Sequence, residues 1–139
     1  MVNDSVGRGD FLKFQTASTT IEIPTGRIVG LDSNGNVTLA DATANPIGVS
    51  ATKVASRTSA SKEDIVVQVS GLAHVTCAAN EAFSYNDFVA GGTEGYATTF
   101  ASIAGTTFSS EKMKKIIGRV VTPDATTEGT TVIIRVGIC

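Results

Sequence analysis

The sequence predicts an all-β protein, a small β-barrel or β-sandwich in which an N-terminal arm of residues 1–20 precedes a single β domain of residues 21–139. Its 139 residues are about the length of one domain and are enough to bury one apolar core. Hydrophobic residues make up 42% of the chain and charged residues 17%, and threonine, valine, isoleucine and glycine are typical of strands and turns. Apolar residues also recur at every second position, which is the period of a half-buried strand.

The first twenty residues differ in character from the rest. Residues 1–10 are polar, and Phe11, Leu12 and Phe14 then precede a run of threonine and serine. Such a segment could add as a strand to the exposed sheet edge of a partner, where its backbone groups gain hydrogen bonds. It could equally form the first strand of the domain itself. The sequence leaves both interpretations open.

A hairpin is the best-defined local element. Residues 27–31 and 37–40 are mainly apolar segments that flank Asp32-Ser33-Asn34-Gly35. Because Asn-Gly supplies the positive φ angles that a tight hairpin turn demands, we expect paired strands on either side of this turn.

Two further segments have the period of a strand, and one segment favours a helix. Residues 65–69 and 132–138 carry valine or isoleucine at every second position. Residues 109–115 favour a helix of barely two turns, since Ser109 can accept hydrogen bonds from first-turn N–H groups. Helix is therefore expected to be a minor element.

The chain repeats one pattern twice: a hairpin, an Ile-Gly strand, a loop and a valine-rich strand. The first copy runs over residues 26–69 and the second over residues 86–136, with an insertion between Phe100 and Lys115. A duplication of this kind predicts two pseudo-equivalent sheets in one compact barrel or sandwich, with glycines at sharp bends. A generic Greek-key sandwich is the alternative, and the fold class is the same in both cases.

No set of side chains points to catalysis, and we expect no enzyme and no cofactor. The single histidine, His74, is predicted to face away from the core together with Gln68 and Ser70. Cys77 is predicted to point inward, where a thiol behaves as a small hydrophobe. The glycine-rich residues 91–95 lack the lysine and the following helix of a phosphate-binding loop. The acidic residues are scattered and the two cysteines lie far apart, so we expect no metal.

Charge and hydropathy disfavour two further kinds of partner. A net charge of -2 lacks the basic footprint that a nucleic-acid-binding surface needs. No apolar run approaches the roughly 20 residues of a membrane-spanning helix, and residues 1–10 lack the apolar core of a secretory signal. We therefore expect no nucleic acid and no membrane as partners, and synthesis and folding in a cytoplasm.

One long connection is a candidate contact between subunits. Residues 51–63 are rich in small side chains and form a longer connection than usual. Its basic residues, Lys53, Arg57 and Lys62, are the side chains that such a loop would offer to a neighbouring subunit.

A second basic group lies in the predicted helix. Lys112, Lys114 and Lys115 are clustered in the sequence and could attract an acidic partner surface. The alternative interpretation is an ordinary solvated face of the helix.

Seven short motifs succeed one another along the chain. They are Gly26-Arg27-Ile28-Val29, Gly35-Asn36-Val37, Pro46-Ile47-Gly48-Val49, Val67-Gln68-Val69-Ser70-Gly71, Asn86-Asp87-Phe88-Val89, Ile117-Gly118-Arg119-Val120 and Val132-Ile133-Ile134-Arg135-Val136. This succession resembles that of bacteriophage capsid cement proteins, also called head decoration proteins, over roughly residues 21–138. In that family a strand-turn-strand unit is followed by an Ile-Gly-Val segment, and the unit tends to recur. The insertion between Phe100 and Lys115 departs from the compact members.

The resemblance implies a homotrimer at three-fold and quasi-three-fold positions on the outer surface of an expanded phage head. There it would clamp neighbouring subunits of the major capsid protein against internal DNA pressure, with no catalysis. Many weak contacts per head would provide the necessary avidity. The predicted arm contacts to the shell are Phe11, Leu12 and Phe14, together with Ile21 directly after the arm.

A carbohydrate-binding β-sandwich or a phage tail-fibre tip module is the alternative function, since such modules are also small, β-rich and threonine-rich. Sugar platforms need exposed flat aromatic rings, whereas this chain has no tryptophan and two tyrosines, Tyr85 and Tyr96. The scarcity of aromatic rings favours the capsid role.

Overall fold

The computed structural model describes residues 9–41, 45–101, 109–123 and 125–137. In these residues the chain forms an all-β sandwich of two five-stranded antiparallel sheets with almost no helix, so the predicted fold class is confirmed and a closed barrel is not formed. The strands are β1 (Phe11–Gln15), β2 (Ile28–Leu31), β3 (Val37–Leu39), β4 (Pro46–Ser50), β5 (Asp64–Gln68), β6 (Gly71–Thr76), β7 (Phe88–Gly91), β8 (Ala97–Thr99), β9 (Ile116–Val120) and β10 (Thr131–Val136). A 3₁₀ turn at Thr93–Gly95 and a short helix, α1 (Ser110–Met113), complete the described elements.

Each sheet is built from one half of the sequence, and the two sheets have the same strand order. The first half (β1–β5) is ordered β1-β5-β4-β2-β3, and the second half (β6–β10) is ordered β6-β10-β9-β7-β8. Each strand of the first half therefore corresponds to the strand five places later. The predicted duplication is confirmed, and the repeated unit begins with β1, upstream of residue 26.

The two sheets also share an irregularity in strand pairing. The register between β2 and β4 shifts after Val29, and the register between β7 and β9 shifts after Val89. Each of these valines lies opposite a glycine, Gly48 in the first half and Gly118 in the second. Because a bulge adds one residue to one strand, its recurrence at corresponding positions aligns the two halves residue by residue.

The first strand of the domain lies at the edge of the first sheet. All of β1 pairs antiparallel with β5, from Phe11 opposite Gln68 to Gln15 opposite Asp64. Of the two interpretations that the sequence leaves open, the structure agrees for residues 11–15 with a first strand of the domain itself. Residues 1–8 of the predicted arm lie outside the described residues.

Both sheets curl without closing. At the end of β1, Thr16 forms an isolated parallel bridge with Val37 of β3, the opposite edge strand. Cys77 and Ala97 form the corresponding bridge in the second half. One bridge per sheet brings the edge strands together at one point, which is short of the continuous ladder that a barrel requires.

The predicted β2–β3 hairpin is present, although its turn differs from the expected one. Asp32 Oδ1 accepts hydrogen bonds from the backbone N–H of Asn34 at 2.8 Å and of Asn36 at 2.9 Å. Gly35 has a φ of 79°, whereas the φ angle of Asn34 is not positive. The carboxylate of Asp32 organises the turn, so a single left-handed residue is sufficient.

Apolar side chains cover both faces of the first sheet. Neighbouring residues of a strand point to opposite faces, so Ile28 joins the core shared with the second sheet and Val29 joins a separate core. Ile23 and Val54, whose backbones pair with each other, close the separate core from outside the strands. Ala40 joins Ile28 in the shared core.

One residue departs from the alternation predicted for residues 65–69. Gln68 is expected to face solvent, but it is 6% exposed. Its side-chain amide donates hydrogen bonds to the carbonyl oxygens of Ser70 at 3.0 Å and Leu72 at 2.9 Å. These bonds compensate for burial of the amide where the chain passes from β5 to β6.

Two glycines allow the halves to approach closely. The carbonyl oxygen of Ala40 accepts a hydrogen bond from the N–H of Gly95 at 3.0 Å. A Cβ atom at Gly95 would lie 2.5 Å from the carbonyl oxygen of Ile28, and one at Gly91 would lie 2.8 Å from the Cβ of Ala40. The backbone of the β7–β8 hairpin therefore packs directly on the first half.

Arg27 adds directional contacts to this junction. Its guanidinium lies 4.0 Å from the centroid of the Tyr96 ring. Its Nη2 donates to the Tyr96 hydroxyl at 3.0 Å, and its Nη1 donates to the carbonyl oxygen of Glu94 at 2.9 Å. A planar guanidinium can stack and donate at the same time, so one side chain fixes the position of the hairpin.

The insertion in the second half contains the predicted short helix. Ser109 precedes α1, and its side chain accepts a hydrogen bond from the N–H of Lys112 at 3.3 Å, which confirms the predicted N-cap. Phe100 and Ile116, which flank the insertion, pack on Ala90 of β7.

Substitution of Gly48 tests the close packing at the bulge. A Cβ atom at residue 48 would overlap the carbonyl oxygen of Gln68 in the neighbouring strand. We expect Gly48→Ala to lower the free energy of unfolding by about 2 to 3 kcal/mol, because the backbone must shift to admit the methyl group. Urea denaturation followed by circular dichroism measures this loss.

Gly35→Ala is the matched control. The space around a Cβ atom at residue 35 is open, but its φ of 79° disfavours a side chain. Its loss should be about 1 kcal/mol, from backbone conformation alone. Equal losses for the two variants would contradict the steric explanation for Gly48.

Candidate interaction surface

The residues predicted to contact a shell lie in different environments. Phe11 and Leu12 are 44% and 50% exposed on edge strand β1, and Ile21 is 61% exposed. Phe14 is half-buried and packs against the core around Val29. Phe11, Leu12 and Ile21 are therefore available to a partner, while most of the contacts of Phe14 are with its own domain.

Ile21 lines an open, largely apolar groove in the first half. The groove has a volume of about 350 Å³ and runs beside edge strand β3, where Val37 and Leu39 also line it. Ala17 also lines the groove and donates its N–H to the carbonyl oxygen of Val37 at 3.2 Å. An apolar groove beside an edge strand suits an extended segment of a partner.

The basic residues of the 51–63 connection have different surroundings. Lys53 pairs with Glu22 at 3.2 Å. Arg57 donates from Nε to the carbonyl oxygen of Thr19 at 2.8 Å, and Lys62 is exposed. Lys53 and Arg57 thus contact the 17–24 segment of the same chain, and the predicted role of this loop as a subunit contact stays a prediction.

The basic group in the insertion is partly neutralised. Lys114 pairs with Glu111 at 3.0 Å on the exposed surface of α1. Lys112 and Lys115 are half-buried, and Met113 beside them is 49% exposed. An exposed pair of this kind contributes little to stability, so this surface is a weakly basic patch with one apolar side chain.

A row of three exposed side chains and one half-buried side chain, that of Leu72, crosses the outer face of the second sheet. Arg119 of β9 lies opposite both Phe88 of β7 and Arg135 of β10, and Arg135 lies opposite Leu72 of β6. The guanidinium of Arg119 is 4.8 Å from the centroid of the Phe88 ring. We call these four residues the outer row. The alternation within β9 and β10 indicates that both arginines face outward, but strand order is needed to bring them together.

The corresponding residues of the first half are mostly buried. Strand pairing makes Ile28, Val49, Gln68 and Phe11 the counterparts of Phe88, Arg119, Arg135 and Leu72. Ile28 is 0% exposed and Val49 is 3% exposed, because both join the core shared with the second half, whereas Phe88 is 37% exposed. The same positions of the repeated unit thus form an interface in one half and a surface in the other.

Cys77 is the counterpart of Thr16 in the second half, and both residues are fully buried. Burial raises the pKa of the Cys77 thiol to about 11; a backbone hydrogen bond from Val132 lowers it, and the charge of Glu81 raises it. A thiol with this pKa is protonated at neutral pH and is a poor nucleophile. The prediction that Cys77 points inward is confirmed, and His74 is exposed as predicted. Cys139 lies outside the described residues.

Among the described residues, no group of three or more histidine, cysteine, aspartate or glutamate side chains is placed to hold a metal ion. Within the same residues, no helix is long and apolar enough to span a membrane.

The described residues define a duplicated all-β fold of two antiparallel sheets. No protein-family model matches the sequence, and no curated protein matches it either. Among solved structures, the chain is similar to the crystal structure of the head fiber gp8.5 N base in bacteriophage phi29. The TM-score is 0.60, with 14% sequence identity, and the match covers 92% of this chain and 95% of that chain. The two chains share a fold over nearly their whole lengths.

Thiol labelling tests the burial of Cys77. In a Cys139→Ser variant, we expect the folded chain at pH 8 to react with a chromogenic disulfide reagent more than about a hundredfold more slowly than the urea-unfolded chain. The reason is that the thiolate fraction is small and the sulfur is enclosed.

The control is a chain with both cysteines replaced by serine and Thr58→Cys added, because Thr58 is exposed. Its cysteine should react at similar rates with and without urea. Equal rates for Cys77 in the folded and unfolded chains would show that its part of the core opens readily.

Proposed function

We propose that this chain is a non-enzymatic structural protein of a bacteriophage virion that binds the outer surface of the head and stabilises the shell. The observation that carries the proposal is the fold shared with a phage head fiber base over 92% of this chain and 95% of the other. The protonated, buried thiol of Cys77 has no role in the proposed function beyond packing.

The shell-binding surface in this proposal lies on the first half. Ile21 and the adjoining groove present apolar surface beside an edge strand, and Phe11 and Leu12 present more of it on β1. Burying such side chains against a capsid subunit releases about 25 cal/mol for each Å² of apolar surface. The partner is the major capsid protein, and neither nucleic acid nor a membrane is involved.

The protein acts as a homotrimer in this proposal. Three copies held together place three shell-binding surfaces around one axis. Once one surface has bound, the others bind at a high effective concentration, so each contact can be weak while the trimer remains attached. Modest apolar patches such as the one around Ile21 are sufficient for such a mode of binding.

Sedimentation with phage heads tests the proposal. The purified chain is mixed with expanded, undecorated heads of its phage, and the pelleted fraction is measured against chain concentration. We expect saturable co-sedimentation and a higher melting temperature of the decorated heads, because a ligand that binds the intact shell stabilises it. A chain that stays in the supernatant at all concentrations would overturn the head-binding role in favour of a sugar-binding or tail-fibre module.

Ile21→Ser locates the shell-binding surface. We expect it to weaken binding to heads at least about tenfold, since each trimer loses three apolar contacts at once. Met113→Ser is the matched control, because Met113 is also an exposed apolar residue but lies on α1 of the second half. Equal effects of the two substitutions would show that the groove is not the shell contact.

A further inference from the structure

The outer row is a face of the second sheet that lacks a counter-charge. Arg119 and Arg135 lie directly opposite each other, and within the described residues neither forms an ion pair. None of the five strands of this sheet contains an acidic residue. Because like charges in directly opposed positions of a sheet repel, the row favours an occupant that places negative charge between the two arginines.

The two ends of the outer row are apolar. Phe88 is 37% exposed at the β7 end, and Leu72 is half-buried at the β6 end. The row crosses neighbouring strands in the order β7-β9-β10-β6, so three spacings between strands, or about 14 Å, separate its ends. A complementary occupant therefore carries two apolar side chains about 14 Å apart, with an acidic side chain halfway between them.

Residues 2–6 of this chain have that pattern. They read Val2-Asn3-Asp4-Ser5-Val6. In an extended backbone every second side chain points to the same side, and four residue steps cover about 14 Å. The two valines and the aspartate can then face the row together, while Asn3 and Ser5 face solvent.

The first described residue, Gly9, lies beside the β6 end of the row. A Cβ atom at Gly9 would lie 3.0 Å from the Cα of Gly71, the residue that precedes Leu72. Asp10 is fixed at the same place, because its N–H donates to the hydroxyl of Ser70 at 2.9 Å. Residues 1–8 therefore connect to the described structure within a residue or two of the outer row.

We propose that residues 2–6 lie in an extended conformation across the outer row of their own chain, with the carboxylate of Asp4 between the two arginines. The valine nearer to Gly9 packs on Leu72, and the other valine packs on Phe88. Three residue steps separate Gly9 from the nearer valine, a reach of about 10 Å. The carboxylate then meets both guanidiniums at the middle of the row, where charge-assisted hydrogen bonds to arginine are strong.

The segment connects the two halves of the molecule. It leads into edge strand β1 of the first half and contacts the outer face of the second half. It also covers Phe88, the counterpart of the residue that the junction buries completely, Ile28. The inference goes beyond the proposed function and does not depend on it, since both partners of the contact belong to one chain.

Disulfide formation tests the register of the segment. Val2→Cys combined with Phe88→Cys, in a Cys139→Ser background, keeps the carboxylate and the valine at the other end. We expect oxidised glutathione to close a disulfide within one chain at least about tenfold faster than in the matched pair Asn3→Cys with Phe88→Cys, because residue 3 faces away from the row. Peptide mapping of the unreduced chain measures the rate.

Two outcomes would overturn the inference. Equal rates for the two pairs would show that the segment reaches the row without a fixed register. Disulfide-linked dimers in place of the closed monomer would show that a second copy covers the row.

Moving the carboxylate by one residue tests the charge contact in a chain without added cysteines. Asn3→Asp combined with Asp4→Asn preserves composition and net charge but turns the carboxylate away from the arginines. We expect backbone order parameters from nitrogen-15 relaxation to exceed about 0.6 for residues 2–6 of the native chain and to fall below that value in the double variant.

Arg119→Gln combined with Arg135→Gln should lower the same order parameters, because it removes the other partner of the contact. Circular dichroism should be unchanged in both double variants, since both arginines are exposed. Order parameters that are low in the native chain, or that stay high when the carboxylate is moved, would disprove the contact. Neither experiment uses phage heads, so the result is independent of the head-binding role.

Discussion

The packing of Ile28 against the β7–β8 hairpin determines how the two halves of the molecule are joined. Ile28 is fully buried where its backbone meets Gly95, and any side chain at that glycine would force the halves apart. Separation would also remove Arg27 from the ring and hydroxyl of Tyr96. Apolar burial therefore stabilises the junction. The guanidinium of Arg27 fixes the orientation of the β7–β8 hairpin, since its stacking and hydrogen bonds have directional requirements.

The duplication places one folding unit in two environments, and the side chains have diverged accordingly. Where the first half has Ile28 and Val49 at the junction, the second half has Phe88 and Arg119 on its surface. The bulge glycines, Gly48 and Gly118, are unchanged, because each lies so close to the neighbouring strand that a Cβ atom would collide with its backbone. The two halves thus share the backbone geometry that the fold requires. Their outward side chains differ, because they are apolar where the other half covers them and partly charged where they lie on the surface.

Local signals in the sequence predicted much of this fold. The β2–β3 hairpin, the Ser109 cap and the duplication each follow from short-range patterns of turn residues and alternating apolar residues. The place of β1 in the repeat could not be predicted from such patterns, because residues 11–14 and 72–75 share little beyond a strand-like pattern. Burial of Gln68 depends on the turn that follows it, and the outer row depends on strand order. Both are tertiary properties that no window of neighbouring residues contains.

The difference between the two faces also bears on the solubility of the molecule. Within the chain, the linkage between the halves holds the junction contact at a high effective concentration, so the apolar surface around Ile28 is covered. On the second half the corresponding positions lie on the surface, where side chains as apolar as Ile28 and Val49 would promote aggregation. Arg119 and Arg135 are exposed at two of these positions and keep the outer row hydrated. The same positions of the repeated unit therefore have to be apolar in one half and charged in the other, because only one of the two copies is covered there by the other half of the molecule.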